Sequence, residues 1–149
     1  MPNYIIPYPD HAGANTTEVG DADEIMKARG VLEPVTNALE ALCVGKGDVR
    51  SRLEDAVSSH LIHLTEENFP SGLGCRFAKI IQQSTKYDAS DLYRAGLIPL
   101  EYLSPGNPHY KGRIQPTMRR IRRSTGSKIA REIWSLHCEV ESIAEKHWE

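Results

Sequence analysis

The sequence predicts an all-α fold, a small bundle of about five to six helices with an extended N-terminal arm and a long irregular loop. Three observations lead there. Apolar residues recur at spacings of three and four through most of the chain. Aromatic residues make up only 7% of it, and no tight turn pair separates alternating runs as a hairpin would. The β-branched residues fall on the helical stripes. At 149 residues, with 40% hydrophobic and 26% charged, the chain has the size and balance of one domain with its own core. We place an arm over residues 1–20 and a single helical domain over 21–149.

The arm contains Pro2, Pro7, Pro9, Gly13 and Gly20. Proline fixes φ and lacks a donor, so residues 4–9 read as extended chain. Asp21, Asp23 and Glu24 then sit where the macrodipole favours acids, and Gly30 is read as the end of that short helix. A second helix carries Val31, Val35, Ala38, Leu39 and Leu42, with Pro34 in its first turn and Gly45 and Gly47 as its stop. Asp48 occupies an N-cap position for a third helix, whose stripe is Val49, Leu53, Val57, His60 or Leu61, and Leu64. Pro70 closes the connection after it. The next stripe, Leu73, Phe77, Ile80 and Ile81, is expected to become helical near Cys75, because Gly72 and Gly74 weaken its first turn.

Residues 86–112 form the predicted loop, broken by Gly96, Pro99, Pro105, Gly106, Pro108 and Gly112. Residues 91–95 are long enough for one helical turn, and Leu92, Leu97, Ile98, Leu100, Tyr102 and Leu103 would tack the loop to the core. Ile114, Met118, Ile121 and Thr125 line one face of a short helix, which Gly126 separates from the last one. There Ile129, Ile133, Leu136, Val140, Ile143 and His147 follow a four-three-four-three-four spacing. That pattern suits a helix packed lengthwise on another, within the bundle or as the seam of a homodimer.

The longest apolar runs are a few residues, far below the ~20 needed to cross a bilayer, and the first residues lack the basic and long apolar regions of a signal peptide. A cytoplasmic address without membrane contact is expected. Cys43, Cys75 and Cys138 are widely spaced in apolar helical contexts and are read as small hydrophobes, with no disulfide framework.

Net charge is −2, which directs the chain toward neither nucleic acid nor membrane, but the distribution is uneven. Residues 111–131 hold eight bases and no acid, whereas residues 1–42 hold seven acids and two bases. On a helix at about 100° per residue, Met118 and Ile121 face inward while Arg119, Arg120 and Arg123 face outward, with Arg122 on the flank. Arg113, Arg119, Arg120, Arg122, Arg123 and Lys128 are therefore the candidate partner-binding residues. Arginine's planar fork suits carboxylates and phosphates. The competing structural reading is a solvated face balanced by Glu139, Glu141, Glu145 or the acidic N-terminal region.

An acidic protein partner is placed ahead of nucleic acid, because total charge is negative, aromatics are scarce near the ridge, and no zinc-finger or RNA-recognition signature is present. A nucleic-acid-binding regulator is the alternative, with residues 116–123, a turn at 124–127 and the next helix as a helix-turn-helix outline. A second alternative is a small hydrolase or nuclease around His60 and His63, with Glu54, Asp55, Glu66, Glu67 or Cys75 beside them. Those histidines have no further ligands at a diagnostic metal spacing. The pairs Gly45 with Gly47 and Gly72 with Gly74 are too short for phosphate loops. His137 and Cys138, adjacent on a helix, diverge by about 100°. No cofactor is called for.

Overall fold

The computed structural model describes residues 10–88, Asp91, Arg94, Gly96 and 111–146. The extended part of the arm at 1–9, the apolar side chains at 92–103 and His147 lie outside the described residues. The described residues are all-α, with five α-helices and no strand.

Helix α1 spans Asp10–Val44, so the two helices expected on either side of Gly30 are one, and it begins ten residues ahead of the boundary set at residue 20. Gly30 does not stop it. An interior proline removes one backbone bond and crowds the carbonyl four residues back, and for Pro34 that carbonyl belongs to Gly30. The helix continues because Ile25, Ala28, Val31, Val35, Ala38 and Leu42 form one buried face. Burial contributes about 1.5–3 kcal/mol per large side chain, which over such a face outweighs the ~3 kcal/mol of an interior proline and the ~1 kcal/mol of a glycine.

Helix α2, Val49–Ala56, starts as predicted: the Asp48 carboxylate accepts from the backbone N–H of Arg50 at 2.9 Å and of Ser51 at 3.3 Å. After Ala56 the helix widens into a π turn, Val57–Leu61, in which the Ile62 amide donates to the Val57 carbonyl five residues back at 2.9 Å. This sets the phase of the stripe. Leu61 is fully buried and His60 only half-buried. A 3-10 turn, Glu66–Asn68, leads to α3, Leu73–Ser84, which begins two residues before Cys75. Gly72 makes that start accessible by taking a left-handed φ of 83°. Phe69 stacks on Phe77 at 4.6 Å beneath it.

Helix α4 spans Lys111–Arg120 and α5 spans Arg123–Ala144. The break therefore falls at Ile121 and Arg122, not at Gly126. Gly126 lies buried in the first turn of α5, where an added Cβ would stand 3.1 Å from Val49 Cγ1 and 3.3 Å from Arg50 Cγ. The glycine marks a close approach of α5 to α2, not a turn. Ser124, Thr125 and Ser127 belong to the same helical start, and Thr125 is exposed instead of facing the core.

Helices α1 and α5 run antiparallel. Arg29 Nε donates to the Ala144 carbonyl at 3.0 Å and Arg29 Nη2 to that of Lys146 at 3.1 Å, while His137 Nε2 lies 3.2 Å from Thr36 Oγ1 farther along. Ile129, Ile133, Leu136 and Val140 are buried as their spacing predicts. They pack within the chain, chiefly on α1. No described helix is long and apolar enough to cross a membrane. Cys43, Cys75 and Cys138 are exposed free thiols, because each falls beside a stripe instead of on it. They are not the small packed hydrophobes that their helical contexts suggest.

Candidate partner-binding surface

The arginine ridge is a corner between two helices. The Ile121 amide donates to the Thr117 carbonyl at 3.0 Å, the last bond of α4, and the chain then passes through extended backbone at Arg122 (φ −80°, ψ 159°) into α5. Met118 is buried and Ile121 half-buried, while Arg119, Arg120, Arg122, Arg123 and Lys128 are exposed. Arg122 faces solvent because its backbone is extended, not because it lies on a helix flank.

The six candidate residues divide by what they touch. Arg113 is half-buried and holds the fold: its Nε donates to the Thr85 carbonyl at 2.8 Å, its Nη2 to that of Lys86 at 3.3 Å, and its Nη1 lies 3.8 Å from Asp88. Thr117, fully buried beside it, accepts from the Tyr87 amide and donates to the Arg113 carbonyl, both at 2.8 Å. Arg120 covers the Tyr87 ring at 5.1 Å, with Lys86 at 5.4 Å from the same ring. Arg123 Nε stands 3.5 Å from Asp48 Oδ2. Arg119, Arg122 and Lys128 make no ion pair or hydrogen bond among the described residues. The acids at Glu139, Glu141 and Glu145 pair with none of the six.

Two residues of this corner are absent from the sequence-based candidates. Arg50 donates from Nη1 to the Ile121 carbonyl at 3.2 Å, closing the end of α4, and from Nη2 and Nε to Asp48 Oδ2 at 2.7 and 3.2 Å. The Arg50 guanidinium, opposed by partial desolvation and helped by the Ser51 and Arg50 amides, holds the Asp48 carboxyl down at about 2. Asp48 is legible as a cap in sequence. Its meeting with Arg123 is a long-range contact that no local pattern signals.

The electrostatics of the two helix ends differ. Arg119 and Arg120 lie in the last turn of α4, where a cation complements the negative end of the macrodipole. The start of α5 has neither a side-chain cap nor an acid in its first turn, yet Arg122 and Arg123 stand there. Each cation placed at a positive helix end costs about 0.3–1 kcal/mol.

A groove of about 860 Å³ runs along α3 close to this corner. Ile62, Leu64, Phe77, Ala78 and Ile81 form its apolar lining, Glu66 and Glu67 stand at the end where α3 begins, and Lys86 and Arg113 at the end where α3 stops. His60 is half-buried and His63 exposed, and among the described residues no three histidine, cysteine or acidic side chains converge as metal ligands would. No protein-family model, curated protein or solved structure matches this chain.

Proposed function

We propose that the protein is a non-enzymatic binding protein that engages an acidic protein partner through the corner between α4 and α5. Arg119, Arg122, Arg123 and Lys128 are the contacting cations. Arg120 supports them from Tyr87, and Arg113 anchors α4 beneath the corner. The observation that carries this reading is the pair of cations at the uncapped start of α5. They oppose the helix dipole and gain only one long contact to Asp48, so folding stability gives no reason for them. A carboxylate-bearing partner would supply the missing counter-charge. Protein stands ahead of nucleic acid because the Tyr87 face, on which a base would stack, is already covered by Arg120.

The test is an anisotropy titration with a labelled Asp/Glu-rich peptide, against the protein and against a variant combining Arg119→Glu, Arg122→Glu and Lys128→Glu. Labelled single-stranded and duplex DNA and RNA run in parallel at ~50 and ~200 mM salt, a range over which phosphate contacts lose much affinity. Peptide binding that the variant loses, with its helical circular dichroism retained, supports the reading. Tighter binding of nucleic acid than of the peptide, falling steeply with salt, would replace it with the nucleic-acid regulator. No binding of either probe would overturn both.

A further inference from the structure

Resting on that reading, we propose that the partner segment is amphipathic: its apolar side chains occupy the groove along α3 and its acidic run continues onto the arginine corner. Groove and corner form one continuous surface. Lys86 and Arg113 line the end of the groove where α3 stops, Lys86 and Arg120 both lie over the Tyr87 ring, and Arg120 belongs to the corner. The step from apolar lining to cationic ridge is thus made through Lys86, Arg113 and Arg120, with Asp88 beside Arg113 at 3.8 Å and Lys86 free of any ion pair among the described residues.

The dimensions fit a short segment. Helix α3 has 12 residues, so the groove along it is about 18 Å long at ~1.5 Å per residue. A helix of about a dozen residues or an extended stretch of about six spans that length. Ile62, Leu64, Ala78 and Ile81 are each half-buried, leaving apolar surface for such a segment to cover. The two ends differ in sign, Glu66 and Glu67 at one and Lys86 and Arg113 at the other. A matching ligand carries a basic residue at the far end of its apolar stretch from its acidic run. Area alone would not specify that order; the charges do.

Three labelled peptides test this: an apolar stretch followed by an acidic run, the same peptide with its Leu and Ile replaced by Ser, and the apolar stretch with its acids replaced by Gln. The first is expected to bind at least about tenfold tighter than either of the others, since burying one large apolar side chain is worth that factor. Ala78→Gln, which puts a polar amide into the lining, and Ile81→Ser, which shortens it, should each erase the advantage of the first peptide over the second without changing the affinity of the second. Circular dichroism checks that both variants keep their helices, and the unchanged second peptide reports an intact corner. Equal binding of the first two peptides, or an advantage that survives both variants, would overturn the groove and leave the corner standing. Equal binding of the first and third would overturn the coupling between them. No binding of either acidic peptide would overturn the corner itself, and this inference with it.

Discussion

Two helix starts lie against each other in this protein, and they are built oppositely. At the start of α2, Asp48 has extended backbone (φ −76°, ψ 178°) and its carboxylate caps two amides. At the start of α5, Arg122 has nearly the same backbone (φ −80°, ψ 159°) and caps nothing. Aspartate is among the best residues for such a position, worth about 0.5–2 kcal/mol over a residue that cannot cap, and arginine is not. The α2 start is explained by the stability of the fold. The α5 start is not, and the proposed role of the arginines rests on that contrast.

Four substitutions test how far the two helix starts differ. The largest effect is expected at the far end of α5, where Arg29 donates to two terminal carbonyls and so agrees with the dipole. Arg29→Met should lose about 1.5–3 kcal/mol, the worth of a hydrogen bond to a charged group, read as a lower urea midpoint at unchanged slope. An unchanged midpoint would mean that arginines at the ends of this helix carry no stability information in either direction. Next comes Arg122→Asp, which supplies the absent cap and the favoured charge together. It should gain about 1–2 kcal/mol while weakening the acidic peptide, a gain in stability at the expense of binding. If stability falls instead, the α5 start is not a deficient cap.

Asp48→Asn keeps an acceptor for the two amides and removes the counter-charge of Arg50 and Arg123. The folded carboxyl titrates near 2 against an ordinary value of 3.8. Its charge therefore contributes stability that is complete above pH ~4 and is lost as pH falls from ~4 toward ~2. Melting temperature in the wild type should drop more steeply across that window than in the variant, by a few degrees; parallel curves would show that the pair contributes nothing. The smallest effect is a reference for the others. A Cβ at Gly30 meets nothing within 4 Å, so Gly30→Ala should stabilise α1 by about 0.4–1 kcal/mol, measured by the same urea titration.

Much of the fold was legible because it rests on local periodicity. The α5 stripe and the Asp48 cap needed only neighbours within a few residues, and the outward direction of Arg119 and Arg120 came from helical geometry. Gly30 and Gly126 misled for a common reason. Glycine was read as punctuation, but at Gly30 a buried face carries the helix through, and at Gly126 a second helix presses close. The corner was half legible. Charge density marked the arginines, but nothing local assigns Arg113 to the carbonyls of Thr85 and Lys86, or brings Arg50 to the Ile121 carbonyl across the fold. The groove along α3 was not legible at all, since its lining is drawn from separate segments.

The π turn at Val57–Leu61 has a consequence for how this chain can change length. An ordinary α-helix there would use one residue fewer over the same rise, so the extra residue works as a phase adjuster between α2 and the segment that leads to α3. Deleting Ser59, exposed within that turn, would let the helix close up in regular form. Residues beyond it would keep their direction, with Ile62 and Leu64 still on the groove, whereas the same deletion in a regular α-helix would rotate them by about 100°. In this stretch, the chain can lose one solvent-facing residue without turning its neighbours.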